Sequence, residues 1–305
     1  MEEWWKTHAS HENDPEWHKW INRYLELYKT KADELLSEHS NTVDGIRVFG
    51  ASKAGGPTRA TGLSILGYEK EPFSGSTNFT FWLGHTVEIA ALATLEAVGY
   101  PIIDTQPEII IRNEKGGPII QTKSDAMVKI LGEPTIVSIK SSAYKMSGQR
   151  KGTWIRQGFA SLPFEGVRKS QPNAYAQAQV ELYGSGLRQC LIIYAAKDIV
   201  KAFENDDYLG AKGNGSLTFY AEMIKPDLEL TNQILEIHDA AMDTIYEKKE
   251  AGPCYYLRAD TMRYVELERA NVQPSNIWGG KNKEITGTFN PCGGCQMVKV
   301  CKDAN

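Results

Sequence analysis

The chain has few cysteines, and none comes early: five in 305 residues, the first at Cys190 and three within the last fourteen positions. An odd number crowded at one end argues against a disulfide framework and for a metal site. Long apolar runs are missing too; none approaches the roughly 20 residues of a membrane-crossing helix. The start, Met1-Glu2-Glu3-Trp4-Trp5, lacks a basic stretch followed by an apolar one, so no secretory leader is expected. Net positive charge is absent: 34 Lys and Arg face 38 Asp and Glu, a formal charge of -4. Such a chain has no overall attraction for nucleic acid, and binding it would need a local basic patch. Internal repeats and low-complexity tracts are absent as well.

What is present is ordinary for a soluble globular protein, 41% hydrophobic and 24% charged, and long enough for one large domain or two small ones. Residues 1–45 read as a polar, aromatic, helical N-terminal segment. Trp17, Trp20, Tyr24 and Leu27 recur at three- and four-residue steps, one face of a helix packed on a core rather than a base-stacking surface. A loop from Gly50 to Gly62 carries Lys53 and Arg59. Residues 82–98 predict a helix with Glu88, Leu92 and Leu95 on one side. Three strands are expected at Glu108–Arg112, Ile119–Ile130 and Thr135–Lys140, with turns at Gly116-Gly117 and Gly132-Glu133-Pro134. A helix over 173–184 and an apolar strand, Gln189–Ala196, follow, the strand suited to a sheet covered on both faces. Residues 226–250 predict a long amphipathic helix. This order predicts an α/β core, a central mixed sheet flanked by helices, over residues 46–250. A cysteine-containing, metal-binding tail over 251–305 would pack on it.

The chemistry centres on the strand candidates. Ser138 lies thirteen positions after Asp125, and Lys140 two further on, so Ser138 and Lys140 face the same way. A carboxylate on one strand, beside a polar group and a lysine on the next, can hold Mg²⁺ and a water, because Mg²⁺ takes oxygen ligands and keeps several waters. The lysine would orient the attacking water and stabilise charge developing on a phosphate. Glu88, on the apolar side of its helix, would need a compensating charge or metal. Each residue alone has a bland reading: a solvated strand acid, a surface lysine, a helix-surface glutamate. Their order and spacing carry the signal.

Gly84-x-x-x-Glu88, then Asp125, then Ser138-Ile139-Lys140-Ser141-Ser142, then Gln179-x-x-x-Tyr183, resemble the PD-(D/E)XK nuclease superfamily. The nearest pattern within it is the RecB-like branch, which includes phage-type and CRISPR-associated exonucleases, and the resemblance spans roughly residues 50 to 301. It implies a restriction-endonuclease-like core using Mg²⁺ or Mn²⁺. Asp125 and the backbone carbonyl of Ile139 would bind the metal, Lys140 would be the catalytic lysine, and Glu88 would bind metal or water. Gln179 and Tyr183, four apart on one helix face, would touch the active site and the DNA backbone. His85 is either a further metal ligand or a structural histidine. The pattern has Glu or Asp where this chain has Ser138, and a neutral hydroxyl is a poor Mg²⁺ ligand. Three readings stay open: a replacement that traps an inactive form, a natural pseudo-nuclease that binds DNA, or another acid, such as Glu88 or Glu181, filling the gap.

Seven basic residues lie between 140 and 169 (Lys140, Lys145, Arg150, Lys151, Arg156, Arg168 and Lys169), and only Glu165 opposes them. Tyr144, Trp154, Phe159 and Phe164 are interleaved. Basic groups neutralise phosphates and aromatic rings stack on unpaired bases, so Arg150, Lys151 and Arg156, with Arg59, are the DNA-binding candidates. At the tail, Cys292-Gly-Gly-Cys295 followed after five residues by Cys301 suits an iron–sulfur cluster or Zn²⁺. The resemblance implies a [4Fe-4S] cluster, with Cys254 as the candidate fourth ligand; Cys190 reads as a core thiol. The function expected is a metal-dependent DNA exonuclease of phage-type recombination or replication, with Ser138 as the point of inactivation. It would act on ends or single strands in the cytoplasm, the host's if viral, with a homo-oligomer or a recombination protein as partner. The alternative is a catalytically silent DNA-binding protein on the same fold. A third reading is a protein-interaction module organised by the cysteine tail.

Overall fold

The computed structural model describes residues 1–8, 13–36, 41–142, 144–150, 153–196, 219–258, 260–267 and 297–301. Helices α1 (Glu2–His8) and α2 (Pro15–Leu36) open the chain. Short strands β1 (Thr42–Val43), β2 (Ile46–Arg47) and β3 (Phe49–Gly50) follow, then helices α3 (Thr58–Ile65) and α4 (Gly75–Ala97). Ser74 caps α4 by accepting from Thr77 N at 3.2 Å, so this helix begins seven residues before its expected start at 82.

Next come β4 (Ile102–Thr105), β5 (Glu108–Arg112), β6 (Pro118–Lys123), β7 (Ala126–Ile130) and β8 (Glu133–Ser142). The strand expected over Ile119–Ile130 is therefore two strands, β6 and β7, that belong to different sheets. The β9–β10 hairpin (Tyr144–Arg150, Thr153–Gly158) leads to α5 (Leu162–Ser170) and α6 (Pro172–Ser185). Strands β11 (Cys190–Ala196) and β12 (Phe219–Ile224) and helix α7 (Leu228–Asp243) complete the core. The helix expected over 226–250 thus ends at Asp243 and passes through a π turn, Thr244–Lys248, before Lys249 reverses the chain at φ 58°. Strands β13 (Cys254–Arg258) and β14 (Arg263–Leu267) and a last turn, α8 (Val298–Cys301), follow.

The central sheet runs β12-β11-β8-β7-β4. Only β8 and β11 are parallel; the other neighbours are antiparallel, so the sheet is mixed. A three-stranded sheet, β3-β6-β5, stands beside it. Side chains alternate along β8. Ile136 joins Ile192 and Tyr194 against α6 and α7, in a core with Ala178, Leu182 and Ile234. Val137 and Ile139 join Ile193 on the other face, against Ile89 and Leu92 of α4 and Trp20 and Leu27 of α2. The fold is therefore a mixed α/β core with helices on both faces of its sheet. The aromatic stripe of α2 lies on α4: Trp20 is buried and its Nε1 donates to Thr94 Oγ1 at 3.1 Å, with Trp17 stacked on it at 5.0 Å. Among the described residues, no helix is long and apolar enough to cross a membrane.

Two backbone positions fix the geometry of the sheet's chemistry-bearing part. The β7–β8 hairpin turns through Leu131 (φ 50°) and Gly132 (φ 89°), two consecutive left-handed residues. That is the backbone of a two-residue primed turn, whose twist matches the strands it joins. Gly184 lets α6 lie close on β5, because a Cβ there would collide with Ile109 and Ile111. A third cluster under α3 buries Leu63, Ala251, Cys254, Tyr256, Met297 and Cys301.

Candidate active site

Asp125 sits at the break where the chain leaves the small sheet and enters the central one. The backbone there is pinned to the β4–β5 connection: Ser124 N donates to Pro107 O at 3.3 Å and Gln106 N to Asp125 O at 3.4 Å. Ala126 pairs with Val137, so Asp125 arrives beside the middle of β8, and its Oδ2 accepts a short hydrogen bond from Ile139 N. Ser138, fully buried, and Lys140 share the face of β8 that looks toward α6. Burial, opposed by the Lys140 charge and reinforced by Glu88, pushes the Asp125 carboxyl up to about 6.

Two glutamates approach this centre. Glu88 comes from α4. Its Oε1 accepts from Lys31 Nζ of α2 at 3.0 Å, and its Oε2 lies 3.5 Å from His85 Nδ1. The side chains of Glu88 and Lys31 are 11% and 12% exposed, so this is a nearly buried ion pair. Burial raises the Glu88 carboxyl, but the His85 hydrogen bond and the Lys31 charge outweigh it and hold it below the ordinary glutamate value. Lys31 has a sequence signal that the helix reading stopped short of: it continues the stripe Trp20, Tyr24, Leu27 at the next four-residue step.

Glu181 comes from α6, on the opposite face of the sheet, and is completely buried. Its Oε1 accepts from Gln177 Nε2 at 2.7 Å, whereas its Oε2 makes no well-formed hydrogen bond. The group it meets there is the buried hydroxyl of Ser124, next to Asp125, which lowers the carboxyl's proton affinity slightly. Burial pushes the Glu181 carboxyl up to about 7, against the pull of Lys140 and with the repulsion of Asp125 behind it.

The other predicted residues are placed elsewhere. Gln179 is buried and both ends of its amide are engaged: Nε2 donates to Lys225 O at 3.0 Å, and Oε1 accepts from Asp227 N at 2.7 Å. It clamps the β12–α7 connection to α6 and does not turn toward Asp125. Tyr183 is half exposed. Arg59, expected at a DNA surface, is buried, and its guanidinium donates to Gly252 O at 2.6 Å and to Cys301 O at 3.4 Å. The loop expected over Gly50–Gly62 gives way at Thr58 to α3, whose first turn carries Arg59 against the carbonyls of the tail. The backbones of Arg150 and Arg156 lie on β9 and β10, their side chains are not described, and Lys151 lies outside the described residues. Cys254 and Cys301 share the buried cluster under α3, while Cys292 and Cys295 lie outside the described residues. Cys190 is fully buried in the core.

The donors around Asp125 are carboxylate oxygens, one of them loosely held, beside a lysine. This set fits an open site for a hard divalent cation that keeps much of its water. Among the described residues, no three His, Cys, Asp or Glu side chains are grouped so that they could hold a metal ion.

No protein-family model matches the chain, and no curated protein does. Among solved structures it is similar to a phage-related exonuclease from Haemophilus somnus 129PT, at 17% identity over 67% of this chain and 96% of that one, with a TM-score of 0.42. It is also similar to an alkaline exonuclease from Laribacter hongkongensis, at 13% identity over 66% and 93% of the two chains, with a TM-score of 0.38. No residue role is carried over from either.

Proposed function

We propose that this chain is a metal-dependent DNA nuclease. The observation that carries the reading is the meeting of Asp125 and Lys140 at a sheet break, with a glutamate delivered from each face. Asp125, with Glu88, Glu181 or the Ile139 carbonyl, would hold Mg²⁺ or Mn²⁺. The ion, when bound, supplies Lewis-acid polarisation of the phosphate. Lys140 places an ammonium where negative charge develops on the scissile phosphate, and its effect is enhanced by the low dielectric of the buried surroundings. Asp125 and its neighbours orient the attacking water by accepting from it. DNA as substrate gains support from the aromatic surface that precedes Glu88 on α4: Phe79, Phe81 and Trp82 are 62%, 48% and 48% exposed, a pattern suited to stacking on unpaired bases. Exonuclease action and a phage-type setting rest on the sequence resemblance alone. Cys254 and Cys301, brought into one buried cluster, are read with Cys292 and Cys295 as a cluster or zinc site, which iron and zinc analysis of the purified chain tests.

The deciding experiment is digestion of end-labelled single- and double-stranded linear DNA with Mg²⁺, Mn²⁺ or EDTA. Activity lost in EDTA and in Lys140→Ala supports the proposal. Activity confined to Ser138→Glu makes the natural chain a switched-off nuclease scaffold. Silence in all variants favours the second reading, a DNA-binding protein without catalysis, for which Ser138 is the motivating residue.

A further inference from the structure

We propose that the acid missing at Ser138 has been replaced across the interface by Glu181, which holds the divalent cation together with Asp125. This inference rests on the nuclease reading and deepens it.

Four observations converge. Ser138 is buried on the face of β8 that looks toward α6, and its hydroxyl is shorter than the side chain of an acid at that position. Glu181 comes from α6, which packs on that face, and is fully buried, yet its Oε2 makes no well-formed hydrogen bond and meets only the Ser124 hydroxyl. A buried polar atom left unpaired is costly, and persistent cases mark a functional group or an ion to be bound. That hydroxyl belongs to the residue preceding Asp125, so the loosely held Glu181 oxygen borders the Asp125 centre. Finally, the rival acid is already satisfied: Glu88 is neutralised by Lys31 at 3.0 Å and approached by His85. With Glu88 and Lys31 cancelling, Asp125 and Glu181 leave one negative charge in excess of Lys140 when ionised. That balance favours an added cation.

A structural carboxyl held by Gln177 is the competing explanation, and metal affinity separates the two without any reference to turnover. Mn²⁺ binding to the metal-stripped full chain is measured by titration calorimetry for the natural sequence, Glu181→Gln, Glu88→Gln, and Glu181→Gln combined with Ser138→Glu. Circular dichroism verifies folding. The proposal expects Glu181→Gln to weaken Mn²⁺ binding at least about tenfold, since even residues behind the ligands are worth about 10- to 100-fold. Restoring an acid with Ser138→Glu in that background should recover it. An affinity unchanged in Glu181→Gln, or lost in Glu88→Gln alone, overturns the proposal. If Glu181→Gln does not fold, Ser138→Glu alone decides: little gain in affinity means that Glu181 already fills the role, and a gain of about tenfold or more means that it does not. A natural chain that binds no Mn²⁺ and digests no DNA removes the nuclease reading as well. One that does both, and is indifferent to Glu181, removes only this inference.

Discussion

Two glutamates reach Asp125 from opposite faces of one sheet, and the protein treats them differently. On the α4 face, Glu88 meets a lysine and a histidine and stays a carboxylate of low proton affinity. On the α6 face, Glu181 meets the neutral side chains of Gln177 and Ser124, and its proton affinity rises to near neutrality. Both are buried, so burial alone does not distinguish them. The difference is the counter-charge: α2 delivers Lys31 to one face, and no element among the described residues bonds a cation to the other. A buried charge with its counter-charge built in stays ionised, whereas one without it is relieved by a proton or by an added cation.

The comparison is broken most severely by removing Glu88's side of the bargain. Glu88→Gln removes the carboxylate that Lys31 meets in a nearly buried ion pair and should destabilise the fold by about 3 kcal/mol, the scale for breaking a buried pair. Urea denaturation measures it, and Glu88→Gln with Lys31→Met should recover most of the loss. Next in size is Gly184→Ala. Forcing a methyl between α6 and β5 should cost about 1–3 kcal/mol and shift Glu181 while leaving the Glu88–Lys31 pair alone. A thermal melt with and without Mn²⁺ checks both parts.

A pH series sharpens the contrast. The folded value for Glu181, about 7, lies above the ordinary 4.5, so the unfolded chain releases this proton at a lower pH than the folded one. Ionisation therefore removes stability as pH rises through that window, and none of this loss occurs with glutamine. The melting-temperature advantage of metal-free Glu181→Gln should be smallest near pH 4.5, grow toward pH 7 and then level off. For Glu88 the folded value is depressed, so its charged form adds stability that disappears as acid protonates it, the opposite slope. The smallest effect lies outside the comparison. Leu131→Asn places a residue tolerant of the left-handed region at an exposed primed turn and should stabilise by about 0.5–1 kcal/mol. It serves as a control on the hairpin that links the two site strands.

Much of this was legible in the chain. The 3.6-residue stripes located α2, α4 and α6, and the apolar run located β11, because each helix or strand displays its buried face as a period. Asp125 and Lys140 were legible by spacing. The break at Ser124-Asp125 was not: an alternating run reads the same whether or not the strand changes partners midway, since alternation records burial and not hydrogen bonding. Gln179 was recognised by its distance from Tyr183, but an amide on a helix can face the site or clamp a neighbouring connection, and only the neighbours decide. Arg59 was misread for the same reason: composition marks a loop as polar without saying what will cover it.

The sequence by itself therefore determined most of the elements and the chemical types available, because these depend on local pattern and residue identity. Only the tertiary structure decided which charges meet. Lys31 and Glu88 are 57 positions apart and Asp125 and Glu181 are 56 apart, and no periodicity spans such distances. Giving one glutamate a cation and the other only neutral partners is a property of how α2, α4 and α6 pack on the sheet, since Coulomb and desolvation energies depend on separation in space and not along the chain.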